Sequence, residues 1–355
     1  MAENDNVQTA DGFLSTGSIS APTIAPASVD ASPAFVPMLT GVGTNELVSL
    51  TGAEPTVDPY TGSALIEKGA LKVFIDGYSE LKGLRISTIK LLDMCYIELT
   101  QSNHYRHKSG ARNTSVNIPL ERYMELCGIP LTKSSKDKTR RKVKEDLDTL
   151  YAISLNWTEP SGKNTKDFKD MRICHEKGIT RGVIQIDFTP KMANYLTGAY
   201  LTQFSTALFA LDERNKNAYP LGRKILLHHG IDSNQKKGTA NILSVSSLLQ
   251  TCPDIPSYEQ VMSENRTVAQ RIKEPLEKAL DAIPFLTWEY SNSKGVPLTP
   301  EQLDATDWQS YTSLYVHFEV KGAPDQTARI EARAEEAKEK RKRRTAKKKK
   351  PENQQ

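Results

Sequence analysis

Lysine and arginine are missing from the first 60 residues, which nevertheless hold seven Asp or Glu. The other 295 residues therefore carry 47 basic against 36 acidic side chains, a balance of +11 hidden inside a net charge of +4. Cysteine is also sparse. The four present (Cys95, Cys127, Cys174 and Cys252) lie far apart and form no CxxC, so a reduced, intracellular chain is the simplest reading. No run of 18 apolar residues occurs, and no membrane-spanning helix is expected. The N-terminus lacks the charged and apolar regions of a secretory signal. These absences point to a soluble, cytoplasmic protein.

Catalytic signatures are absent too. The sequence has no GxxxxGK[ST] loop, no GxSxG elbow, no HExxH and no paired His–apolar–His of a nicking enzyme. His104 and His107 stand three apart without a carboxylate or thiol cluster beside them, and Cys174 and His175 would point to opposite faces of a strand. His228 and His229 suit the negative end of a helix, where imidazole is favoured. The expectation is a protein without enzyme activity, cofactor or metal.

What is present is a strong charge pattern. Lys133–Lys144 contains seven Lys or Arg against one Asp, and nine of the eleven residues from Lys340 to Lys350 are basic. An acidic leader and a basic remainder suggest a polyanionic partner. Residues 1–64, rich in Ala, Ser, Thr, Pro and Gly, show no periodicity and are read as a disordered acidic leader, with "AFVPML" the one stretch suited to docking. Residues 324–355 read as an exposed helix fraying into a basic tail.

The segment between contains an internal repeat. "VKEDLDTL" (143–150) aligns with "IKEPLEKA" (272–279) at an offset of 129, matching Val143 to Ile272, Glu145 to Glu274 and Leu147 to Leu276. Upstream, "ERYMELCGIP" resembles "SSLLQTCPDIP", setting Cys127 against Cys252; downstream, "ISLNWTEP" resembles "FLTWEYSN", setting Trp157 against Trp288. Three matches in one order indicate a duplicated domain, 69–192 and 199–321. Each copy reads as helix, short strand, helix, turn, helix, strand, hairpin, strand. In the first, the final strands are "ISLNWTEP" and "GVIQIDFT" around the hairpin "SGKNTKDFKD". Pro275 should kink the third helix of the second copy or mark its true start. The fold class is α+β: two tandem winged-helix (helix-turn-helix) domains, with the third helix in the major groove and the hairpin on backbone.

At about 100° per residue, Val143, Leu147, Leu150 and Tyr151 share a buried side of the first of these helices. Lys138, Arg141 and Glu145 lie opposite, flanked by Lys142 and Lys144. Arg and Lys suit guanine and phosphate, and Glu can accept from cytosine N4. In the second copy Val268, Ile272, Leu276, Ala279 and Leu280 bury; Thr267, Gln270 and Glu274 oppose them, with Arg266, Arg271 and Lys273 alongside. Gln pairs bidentately with adenine, so this copy suits discrimination and the first suits holding. Lys163, Lys166 and Lys169 of the first hairpin would meet phosphates. A solvated basic face would look the same, and duplication weighs against it.

On "LDERNKNAYPLGRKILLHH" and "RIKEPLEKALDAIPFLTWEY", the chain resembles the plasmid-type, iteron-binding replication initiators; similar segments resemble mobile-element proteins of Gram-positive gut bacteria. The resemblance covers about 69–320. It implies that both domains bind repeated origin DNA, that the second makes most specific contacts, and that a host helicase or helicase loader is recruited. It carries base reading to Gln270, Arg271 and Glu274, and DNA contact to Lys138, Arg141 and Lys142. The leader, the basic tail and Pro275 depart from the family pattern. The alternatives are a winged-helix transcriptional regulator or partition-type adaptor on a palindrome, and a protein-interaction module that binds no DNA. A homodimer is compatible with each.

Overall fold

The computed structural model describes residues 34–48, 50–51, 55–68, 71–78, 81, 84–102, 113–161, 164–197, 200–304 and 307–324. The first half contains β1 (Phe35–Thr40), α1 (Val42–Val48), β2 (Thr56–Val57), β3 (Ala64–Lys68), β4 (Leu71–Ile75), α2 (Ile86–Ser102), β5 (Ser115–Pro119), α3 (Leu120–Leu126) and α4 (Lys133–Ala152). It continues through β6 (Ile153–Ser161), β7 (Asn164–Arg172), β8 (Cys174–Thr180), β9 (Val183–Phe188) and α5 (Pro190–Thr197). A strand, β10 (Tyr200–Ser205), leads to the second half: α6 (Ala218–His229), α7 (Asp232–Lys237), β11 (Ile242–Ser244), α8 (Val245–Leu249) and α9 (Tyr258–Ser263). Next come a π-helical turn (Ala269–Lys273), α10 (Glu274–Asp281), β12 (Leu286–Ser291), α11 (Pro300–Asp304), α12 (Trp308–Thr312) and β13 (Tyr315–Val320). The architecture is mixed α+β with small antiparallel sheets. Among the described residues, no helix is long and apolar enough to cross a membrane.

The two halves share a strand order. β5-β9-β8 and β11-β13-β12 are three-stranded sheets of the same order, each with the last strand in the middle. Each comes with the same series of helices, α2, α3 and α4 in one half and α6, α8 and the π-turn with α10 in the other. The aligned stripe is core in both: Val143 and Ile272 are fully buried, as are Leu150 and Ala279.

Three expectations change. First, residues 34–64 are not a featureless leader. "FVPMLT" is β1, which pairs antiparallel with β10 from Phe35↔Ser205 to Thr40↔Tyr200, and Met38, Leu39 and Leu47 are buried. The docking stretch was legible in its apolar residues; its partner, far along the chain, was not. Residues 1–33 and 325–355 lie outside the described residues.

Second, "ISLNWTEP" does not pair with "GVIQIDFT". β6 pairs with β4 and β7 in a five-stranded sheet, β2-β3-β4-β6-β7, whereas the strand containing "VIQIDF" joins β5 and β8. The β6–β7 hairpin is thus an insertion between α4 and the three-stranded sheet. Alternation identifies a strand but not its neighbour.

Third, Trp157 and Trp288 are not equivalent, because β6 belongs to the inserted sheet and β12 occupies the place of β8. Trp157 stacks on Phe168 at 4.4 Å and meets Tyr195 edge-on at 5.0 Å. The α1 backbone lies so close that a Cβ on Gly43 would sit 2.7 Å from the indole, which fits glycine there.

Candidate nucleic-acid interface

Helix α4 starts at Thr132, whose hydroxyl accepts from the Ser135 N–H at 3.2 Å. Its first turn holds no acid and its last turn no base, the reverse of what the helix dipole favours. Lys133 and Lys136 in the first turn oppose the dipole, so their placement is not explained by helix stability. Thr139, Val143, Asp146, Leu147, Thr149 and Leu150 are buried, leaving Lys138, Arg140, Arg141 and Lys144 exposed. None of these four has a salt bridge or side-chain hydrogen bond among the described residues.

Several expected contacts are occupied within the protein. The Glu145 carboxylate accepts from Arg85 Nη1 at 2.9 Å, and the same guanidinium reaches buried Asp146 at 2.8 Å. Ser87 and Thr88 also donate to Asp146, at 3.0 and 2.7 Å. Burial works against the charge on Arg85, but Asp146 and Glu145 outweigh it and raise its pKa. Glu145 thus has one carboxylate oxygen engaged within the protein. Lys142, half-buried, is bonded to Glu213 in the segment joining the halves. Tyr151, expected inside, is 40% exposed: it lies about 80° around the helix from Val143, on the row of Arg140 and Lys144. Lys177 bridges to Asp148 and sits 5.3 Å from the Tyr151 ring centre.

The hairpin expected to act as the wing sits elsewhere. Lys163 lies outside the described residues, as does the side chain of Lys166; Lys169 is exposed on β7 in the five-stranded sheet. The hairpin of the three-stranded sheet turns instead at Arg181–Gly182, with φ of +50° and +79°. Two successive positive φ values match the two-residue turn that suits strand twist. The Gly182 carbonyl accepts from the Leu120 N–H at 2.8 Å, anchoring the turn on α3, and Arg181 is exposed. Arg140 and Arg181 were not singled out in the sequence. The signals were there: Arg140 is one helical turn before Lys144, and "RG" separates two alternating strands.

In the second half Ile272, Leu276, Ala279 and Leu280 are buried as expected, while Val268 is half-buried. Thr267, Gln270, Arg271 and Glu274 are exposed, Lys273 is half-buried, and Arg266 reaches exposed Glu264 at 3.0 Å. Pro275 sits in the first turn of α10, so the α-helix proper starts at the proline, one of the two expected outcomes. Backbone angles are helical from Val268 onward, and the turn ahead of the proline widens so that the Glu274 N–H reaches the Ala269 carbonyl. A proline lacks an N–H and crowds the carbonyl four residues back; the wider turn relieves both.

His228 and His229 do close α6. Burial lowers both pKa values. His228 Nε2 lies 2.9 Å from the Thr239 carbonyl and its Nδ1 3.2 Å from Asn234 Nδ2, a pattern that suits the neutral ring with its proton on Nε2. His104 and His107 lie outside the described residues, and among those described no group of three or more His, Cys, Asp or Glu is placed to hold a metal ion.

No protein-family model matches the sequence, and no curated protein matches it. Solved structures with a similar arrangement include the Pi initiator protein in complex with iteron DNA, at TM-score 0.46 and 10% identity, covering 82% of this chain and all of that one. A selenomethionine structure of domains 2 and 3 of RctB gives TM-score 0.34 and 8% identity over 66% of this chain and 85% of that chain. A second structure of RctB domains 2–3 gives 0.32 and 8%, over 75% and 95%. With every TM-score below 0.5, none of the three assigns a function to this chain.

Proposed function

We propose that this is a sequence-specific double-stranded DNA-binding protein, a plasmid or mobile-element replication initiator built on two tandem winged-helix domains. It would recognise repeated origin sequences and recruit the replication machinery through a helicase or helicase loader, acting by binding and not by catalysis. The observation that carries this reading is the exposed set Lys138, Arg140, Arg141 and Lys144 on α4. These cations lack internal partners among the described residues; Lys138 and Arg141 lie opposite, and Arg140 and Lys144 beside, a buried stripe that fixes the helix. The second half supports it with an aligned helix exposing Gln270 and Arg271, side chains able to pair bidentately with adenine and guanine.

Footprinting the full chain across the DNA flanking its own gene tests the proposal. Protection of direct repeats is the expected result. A single protected inverted repeat would make the protein a regulator, and protection nowhere at low salt would leave only a protein-contact role.

A further inference from the structure

We infer that Pro275 is a positioning residue, setting through the π-turn ahead of it which side chains the second-half helix presents to a base pair. This rests on the DNA-binding reading above. The two helices align without a gap from Val143/Ile272 to Leu150/Ala279, and Pro275 takes the place of Asp146. In α4 the helix is α throughout, and Thr139, one turn before Val143, is 5% exposed. In the second half that same turn is π, closed from the Glu274 N–H to the Ala269 carbonyl. A π-turn holds about one more residue than an α-turn. It therefore rotates the residues on its N-terminal side by roughly one residue's step, about 100°, relative to those on its C-terminal side.

The C-terminal side is fixed, because Leu276, Ala279 and Leu280 are fully buried, as is Ile272 near the end of the turn. The rotation therefore accumulates through the turn, over Gln270 and Arg271, and is complete at Thr267 and Val268, the solvent-facing start. Val268 registers it. Although larger and more apolar than its counterpart Thr139, it is less buried, as expected of a side chain turned off the core stripe. Gln270 and Arg271 ride on the same turn and are exposed. An N–H at position 275 would remove the cause of the widening, and a closed α-turn would swing both side chains around the axis.

The experiment selects binding sites for the full chain from a randomised duplex library at fixed salt, comparing wild type with P275A. Backbone chemical shifts of residues 268–274 report whether the variant has closed the turn. The expected result is a closed turn, non-specific affinity within about twofold of wild type, and at least a tenfold change in preference at one or two base pairs. A closed turn with wild-type preference in P275A overturns the inference. So does a turn that stays wide in P275A, since the proline would then not be its cause. If wild type itself selects no sequence, the DNA reading falls and this inference with it.

Discussion

Arg223 of α6 clasps Asp93 of α2 with two hydrogen bonds, Nε to Oδ2 at 2.8 Å and Nη2 to Oδ1 at 3.0 Å, and both residues are 1% exposed. Tyr219 adds a third donor to Asp93 at 2.8 Å, and Arg223 Nη1 donates to Asn45 at 2.9 Å. Nearby, buried Lys90 donates to the Phe209 and Leu211 carbonyls at 2.9 and 2.6 Å. The two halves are thus joined by desolvated polar contacts as well as by chain.

Removing one partner strands the other. Arg223→Met should destabilise the chain by about 3–5 kcal/mol, because Asp93 would remain buried without its counter-charge. The double change Asp93→Leu with Arg223→Met should recover most of that loss. Urea unfolding of the single and double variants measures it; equal midpoints for wild type and Arg223→Met would show that the clasp contributes nothing.

Charge at α4 should follow pairing as well as position. Arg140→Ala, Arg141→Ala, Lys138→Ala and Lys144→Ala should each flatten the log–log dependence of DNA affinity on salt by about 0.9 where the side chain meets a phosphate. Lys142→Ala should change it less, since Glu213 already engages that ammonium. Glu213→Gln frees Lys142 and should tighten binding. Fluorescence titrations at several salt concentrations separate the three outcomes.

In the second half, reading and folding should come apart within three consecutive residues. Gln270→Ala or Arg271→Ala should leave stability nearly unchanged while losing about 1–3 kcal/mol of discrimination at one or two base pairs. Ile272→Ala should instead cost roughly 2–5 kcal/mol of stability through a core cavity. Competition with single-base variants of the footprinted site, alongside thermal melts, makes the comparison.

The helix-end histidines supply a pH dependence. Their folded pKa values lie below the ordinary value near 6.5, so between the two the unfolded chain binds more protons. Their contribution is fully present above about pH 6.5 and declines as pH falls toward the folded values. Melts between pH 7.5 and 5 should show falling stability, and His228→Gln should reduce the slope. A slope unchanged in that variant would acquit His228.

The legible part of this protein was its local periodicity. Val143, Leu147, Ile272 and Leu276 were placed correctly because a helix repeats every 3.6 residues whatever it packs against. What failed required knowing a distant partner. Arg85 is 60 residues from Glu145, and nothing in "KEDL" reveals that ion pair. The mispaired hairpin has the same origin: β6, β7, β8 and β9 all carry strand-like sequence, and only the packed structure sorts them into two sheets. Tyr151 was misplaced by a smaller slip, its angle from Val143 being too wide for the stripe.

The β1–β10 ribbon also bears on how the chain is made. Its paired residues lie 160 to 170 positions apart, so β1 waits through synthesis of the whole first half before its partner exists. At typical elongation rates of roughly 5–20 residues per second, that interval is on the order of ten to thirty seconds. Throughout it β1 is an unpaired apolar strand, open to pairing with the wrong edge on the same or a neighbouring nascent chain. A ribosome stalled before Ser205 would therefore release a first half that cannot close, and aggregation should rise sharply for truncations ending just short of that residue.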